Sequence, residues 1–220
     1  MADRNILPLL LAADLLIPFL LAPAYRGYSH LTEVMSVLGN PKAPLHLIYN
    51  IWLVVFGVSL LTASVPLYLA VAETSKAISK LLFSVIAVYA IGGCILSGFF
   101  SVGETKSLET VSAKIHGFGS AAGFLLLIFA PLFTGIYFFK TADRGLGLLS
   151  LTCFVLAVVF FTLFVVADKP RYQGTIVGLE GLWQRLSLLC MYLPVAVLCY
   201  WFSHEKCRIP KRRAVSTIPR

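Results

Sequence analysis

Two arrays of polar residues stand out in an otherwise apolar chain. His46, Tyr49 and Asn50 fall at i, i+3 and i+4, and Ser112, His116 and Ser120 fall four residues apart. Each set shares one helix face. Glu104 and Glu109 precede His116, and Gln184 and Arg185 follow Glu180. A histidine with a carboxylate and a hydroxyl can run acid–base hydrolysis, so His116, Glu104 and Glu109 are the catalytic candidates. Histidine with carboxylate can also hold a metal. Arg185 can grip a phosphate or carboxylate headgroup bidentately. The ligand-binding candidates are therefore His46, Tyr49, Asn50, Ser120, Gln184 and Arg185. The sequence holds no His-Glu-x-x-His, no Gly-x-Ser-x-Gly and no phosphate-binding glycine loop. It assigns no metal set and no cofactor. Asp14 stands apart, alone in a long apolar run. A charge at mid-bilayer costs about 2.5–3.5 kcal/mol on insertion scales, so Asp14 should face the bundle or a wet cavity. It can relay protons or ions, oppose a substrate charge, or tie helices together as a hydrogen-bonded carboxyl.

These residues are carried by an all-α membrane bundle. Hydrophobic residues make up 59% of 220 positions and charged residues 13%, against roughly 45–50% and about 25% in soluble domains. So short a chain cannot enclose that much apolar surface, and the excess must face lipid. Six apolar blocks follow: Ile6–Tyr25, Leu47–Ala72, Leu81–Val102, Ile115–Phe139, Leu146–Ala167 and Gly181–Phe202. Each has the ~20 residues a bilayer core requires. Pro18, Pro66, Pro131 and Pro194 lie inside blocks, which membrane helices tolerate. Ala22-Pro23-Ala24 has the small residues of a signal-peptide cleavage site, but Asp14 breaks the apolar run and Met1–Asn5 carries no net positive charge. The segment is expected to remain as the first helix. After it, Ser29 can cap a short interfacial helix with Leu31, Val34, Met35 and Leu38 on its apolar side, stopped by Gly39-Asn40-Pro41. His30 and Glu33 would then be neighbours on its polar side. The chain divides into a six-helix transmembrane domain over 1–203 and a basic tail over 204–220.

Eleven Lys and Arg fall on the side of the termini and seven on the other. The positive-inside rule predicts both termini, and the tail, in the cytoplasm. The net charge of +8 fits topology and attraction to anionic headgroups and requires no nucleic acid partner. The cysteines lie mostly within spans and suggest no disulfide framework. Gly119-Ser120-Ala121-Ala122-Gly123 on the fourth block is a small-residue stripe, and Gly92, Gly93, Ser97 and Gly98 on the third can be its complement. Such stripes serve close packing within the chain or association into a homo-oligomer.

Three segments resemble the domain of unknown function 998 family of polytopic membrane proteins. They are Tyr28-Ser29-His30 through Leu38-Gly39-Asn40; Gly98-Phe99-Phe100-Ser101-Val102 with the acidic loop leading to His116; and Gly178-Leu179-Glu180-Gly181-Leu182-Trp183-Gln184-Arg185-Leu186. The resemblance covers most of the chain and implies the six-helix architecture, with no activity to carry over. The expected function is binding of a lipid or small polar ligand in an outward-facing polar pocket. Two readings stay open beside it. One is an intramembrane enzyme acting on a lipid headgroup through His116. The other is a small proton-coupled transporter using Asp14.

Overall fold

A computed structural model describes residues 6–101 and 109–208, with side chains through 203. Six helices in it are long and apolar enough to cross a membrane. They are α1 (Ile6–Ala24), α2 (His46–Ala72), α3 (Lys76–Phe99), α4 (Val111–Lys140), α5 (Arg144–Ala167) and α6 (Glu180–Ser203). The described residues contain no strand. In lipid every backbone N–H and C=O must find its partner within the protein, which a helix achieves within one segment. The chain is a multi-pass membrane protein, and large apolar side chains such as Leu9, Phe99 and Val111 point outward from the bundle.

Local chemistry sets the boundaries. Ser75, Thr110 and Asp143 cap α3, α4 and α5, their side chains accepting from the N–H groups of Ile78, Ala113 and Leu146. These caps satisfy amides that the first helical turn leaves free. The regular helix of α4 breaks at Ile128, just before Pro131, which has no N–H to give the carbonyl of residue 127. α3 turns π-helical over Tyr89–Leu96, and Ser97 Oγ donates to the Gly92 carbonyl at 3.1 Å.

That irregular stretch is where α3 meets α4 most closely. A Cβ on Gly92 would run into the Gly119 carbonyl, and one on Gly123 would lie 2.9 Å from the Gly93 amide. The two small-residue stripes therefore pack on each other within the chain. Gly98 is the exception, since its missing Cβ makes room for Asn50 and Val54 of α2.

The segment between α1 and α2 holds a short helix, but not an amphipathic α-helix running from Ser29. One turn spans Ser29 to Glu33, Val34 is extended, and a 3-10 helix follows over Met35–Gly39. The cause is competition for carbonyls. Those of His30 and Glu33 accept from Arg185, that of Leu31 accepts from the Leu182 amide, and the Met35 amide donates to Gln184, so bonds to α6 replace helical ones along this stretch. Val34, Met35 and Leu38 are buried against protein, while Leu31 is exposed. His30 does not sit beside Glu33 on a polar surface; its ring stacks on Phe19 at 4.3 Å.

Candidate functional site

A cavity of about 660 Å³ opens at the end of the bundle where α1 passes to α2 and α6 begins. All six spans line it. Asp14 comes from α1, Tyr49 from α2, Tyr89 and Ser97 from α3, His116 and Ser120 from α4, Phe161 and Phe164 from α5, and Gln184 from α6. Glu33, Asn40, Lys42 and Glu180 also contribute to the lining.

Asp14 is 2% exposed, and its hydrogen bonds come from neutral donors. Trp52 Nε1 donates to Oδ1 at 3.3 Å and the Tyr192 hydroxyl donates to Oδ2 at 2.9 Å. Tyr89 and Tyr192 share a 2.7 Å contact. With the Tyr192 proton directed at the carboxylate, Tyr89 is the donor in that contact, and a directional chain runs Tyr89 to Tyr192 to Asp14. Among the described residues no cation lies at hydrogen-bonding distance from Asp14.

Gln184 Oε1 accepts from the Met35 amide at 2.7 Å. This fixes the orientation of the carboxamide and leaves its Nε2 donors for the cavity. Tyr49 is 3% exposed, and its hydroxyl has no hydrogen-bond partner among the described residues. Ser120 bonds Ser97 at 2.8 Å, where Ser97 already donates to Gly92, so Ser120 is the donor. His116 Nδ1 donates to the Phe100 carbonyl at 2.8 Å, which leaves Nε2 as the basic nitrogen of the neutral ring.

The other candidates lie elsewhere. His46 Nδ1 donates to the Ala43 carbonyl at 2.8 Å and closes the turn before α2. Asn50 Nδ2 donates to the Gly39 carbonyl at 3.1 Å and ties the 3-10 helix to α2. Glu109 is exposed and Ser112 half-buried, and both are off the lining. Glu104 lies outside the described residues. No carboxylate is bonded to the His116 ring, and no group of three metal-ligating side chains occurs, among the described residues.

Arg185 does not reach the cavity. Its Nη1 donates to the carbonyls of His30, Glu33 and Gly181 at 2.8, 3.2 and 2.8 Å. Its Nη2 meets the Tyr28 hydroxyl at 2.6 Å and His30 Nδ1 at 3.2 Å. The guanidinium clamps the loop over the bundle. Burial raises the Tyr28 phenol above its usual value, against the pull of Arg185. Burial first, and then Arg185, hold the His30 ring below its usual value.

Sequence spacing did not single out Trp52, Tyr89 or Tyr192, which sit in apolar runs and look like core. The usable signal was Asp14 itself. A buried carboxylate needs donors, and Tyr and Trp are the apolar-bodied residues that supply them.

A family model described as "Protein of unknown function (DUF998)" matches residues 9–201. No curated protein and no solved structure matches the chain.

Proposed function

From the premise that this chain belongs to the DUF998 family of proteins of unknown function, we propose that it binds a membrane amphiphile. The polar end sits in the cavity and the hydrocarbon lies between α4 and α5. One observation carries this reading. An apolar groove of about 400 Å³, lined by Leu125, Phe129, Phe154 and Val158 among others, shares Phe161 and Val165 with the polar cavity. Leu125, Val158 and Val165 are exposed on the bundle surface, where the surrounding medium is lipid. Buried polar groups that adjoin a lipid-facing groove across a shared wall suit an amphiphile better than a water-soluble ligand, which has no use for the groove.

The test is photolabelling of the protein in nanodiscs with a lipid carrying a photoreactive acyl chain. Labelled peptides should concentrate on α4 and α5. Val165→Trp, which fills the junction, should lower labelling there and leave other helices unchanged. Uniform labelling of all lipid-facing helices would defeat the proposal. We also propose that the termini are cytoplasmic, so the cavity opens on the opposite side of the membrane. The excess of Lys and Arg on the terminal side supports this orientation.

A further inference from the structure

We propose that the cavity selects an organic ammonium headgroup, with Asp14 as its counter-charge. This rests on the amphiphile reading above and adds the chemical class of the ligand. Asp14 reaches the lining of the cavity yet takes its hydrogen bonds from Trp52 and Tyr192, both neutral donors. A carboxylate accepts more than one hydrogen bond per oxygen, so each Asp14 oxygen keeps acceptor capacity. Buried charges are paired in stable proteins. The cation best placed by sequence, Arg185, is committed to the His30, Glu33 and Gly181 carbonyls and is off the lining.

The rest of the lining favours the same sign of charge. Its charged residues are Asp14, Glu33 and Glu180 against Lys42, an excess of acids. Tyr49, Tyr89 and Phe124 add aromatic rings, whose faces attract ammonium groups once water is excluded. Tyr49 adds a second polar group on the lining, its hydroxyl without a hydrogen-bond partner among the described residues. An anionic headgroup would instead bring a like charge towards a buried carboxylate and be rejected by it. The Gln184 Nε2 donors are available for the linking oxygens of the ligand.

The experiment uses the full chain in a neutral maltoside detergent. Four photoreactive probes share one alkyl chain and differ in headgroup: trimethylammonium, primary ammonium, hydroxyl and phosphate. Both ammonium probes should half-saturate labelling of the α4–α5 groove at a concentration about tenfold or more below that of the phosphate probe. If only one of them does so, the class narrows to that ammonium and the proposal stands. Asp14→Asn should erase the advantage of ammonium over hydroxyl while hydroxyl labelling persists. Equal or better labelling by phosphate, or an ammonium preference that survives Asp14→Asn, overturns the proposal and leaves the amphiphile site standing. Absence of groove labelling by all four probes overturns both. If Asp14→Asn does not fold, displacement decides. Tetramethylammonium chloride should compete with the ammonium probe where sodium chloride of equal ionic strength does not, and equal competition by the two salts counts against the proposal.

Discussion

Asp14 is held by donors from two other helices, Trp52 on α2 and Tyr192 on α6. Removing the carboxylate leaves Tyr192 buried and unpaired, at about 1–3 kcal/mol, and the half-buried Trp52 unpaired at less, although hydrogen bonds between membrane helices average about 0.6 kcal/mol. Asp14→Ala should therefore lower the thermal midpoint in detergent. Tyr192→Phe should lower it too, because it strips one bond from Asp14 and the acceptor from Tyr89. Midpoints equal to the wild type would show that the chain Tyr89 to Tyr192 to Asp14 holds nothing together. His30 supplies a pH dependence. Its Nδ1 accepts from Arg185, so protonation would turn an N–H towards a guanidinium. Because the folded-state value is depressed, the unfolded chain binds the proton first. The contribution of His30 is whole above about pH 6.5 and is lost as pH falls below it. Tyr28 shares the surroundings of Arg185, and its raised phenol stays neutral in that window. Hydrogen-exchange protection of residues 28–39, corrected for the intrinsic pH dependence of exchange, should fall between pH 7 and 5, and His30→Gln should remove that loss. Asp14 was legible in the sequence because an acid in an apolar run is anomalous. The role of Arg185 was not, because its partners are backbone carbonyls and any sequence supplies those.

Helix identities were readable from hydropathy, since burial in lipid leaves the backbone no alternative to the helix. The starts were not, because α3 and α4 begin at Lys76 and Val111, ahead of the apolar blocks that open at Leu81 and Ile115. The segment after α1 was harder to read. Its apolar spacing fits a helix, yet Arg185 and Leu182 take the carbonyls a helix would use. Competition from α6, more than a hundred residues away, is invisible to local periodicity. The α3–α4 contact makes the element-scale prediction. Gly92→Ala drives a methyl into the Gly119 backbone, which cannot swing aside as a side chain can. Overpacking of this kind costs about 1–3 kcal/mol, and the π-helical stretch beside it should shift. Gly145→Ala is the control, since its Cβ would have only Asp143 Oδ1 nearby, at 3.8 Å. It should be neutral or stabilising by about 0.5–1 kcal/mol. Thermal midpoints of the two variants separate close packing from the general effect of losing a glycine. Equal midpoints would mean that α3 and α4 can part without penalty.

The whole molecule is polarised, with the cavity and the longer loops at one end and the short connectors at the other. Which end faces the cytoplasm determines which leaflet and which aqueous phase can load the cavity. The Lys and Arg bias rests on the tail, which supplies six of the eleven on the terminal side. Arg4, Lys76, Lys80, Lys140 and Arg144 alone are fewer than the seven on the cavity side, so the orientation needs a direct test. Cysteine labelling tests this cleanly, because Cys94, Cys153, Cys190 and Cys199 are all buried and Cys207 can be replaced by Ser. In that background, Glu109→Cys should react with a membrane-impermeant maleimide in intact cells. Lys140→Cys should react only after permeabilisation. Both positions are exposed, so a silent site cannot be blamed on burial in the bundle. The reverse pattern would turn the cavity mouth to the cytoplasm, where ligand would enter from the inner leaflet. The cavity side would then face anionic headgroups, whose negative potential attracts cations to that surface. An ammonium amphiphile would be concentrated at the mouth before it met Asp14. In the proposed orientation that assistance is weaker, and selection has to come from the cavity itself. Agreement between the labelling pattern and a headgroup preference that depends on Asp14 would therefore place the selectivity in the buried carboxylate rather than in the charge of the leaflet.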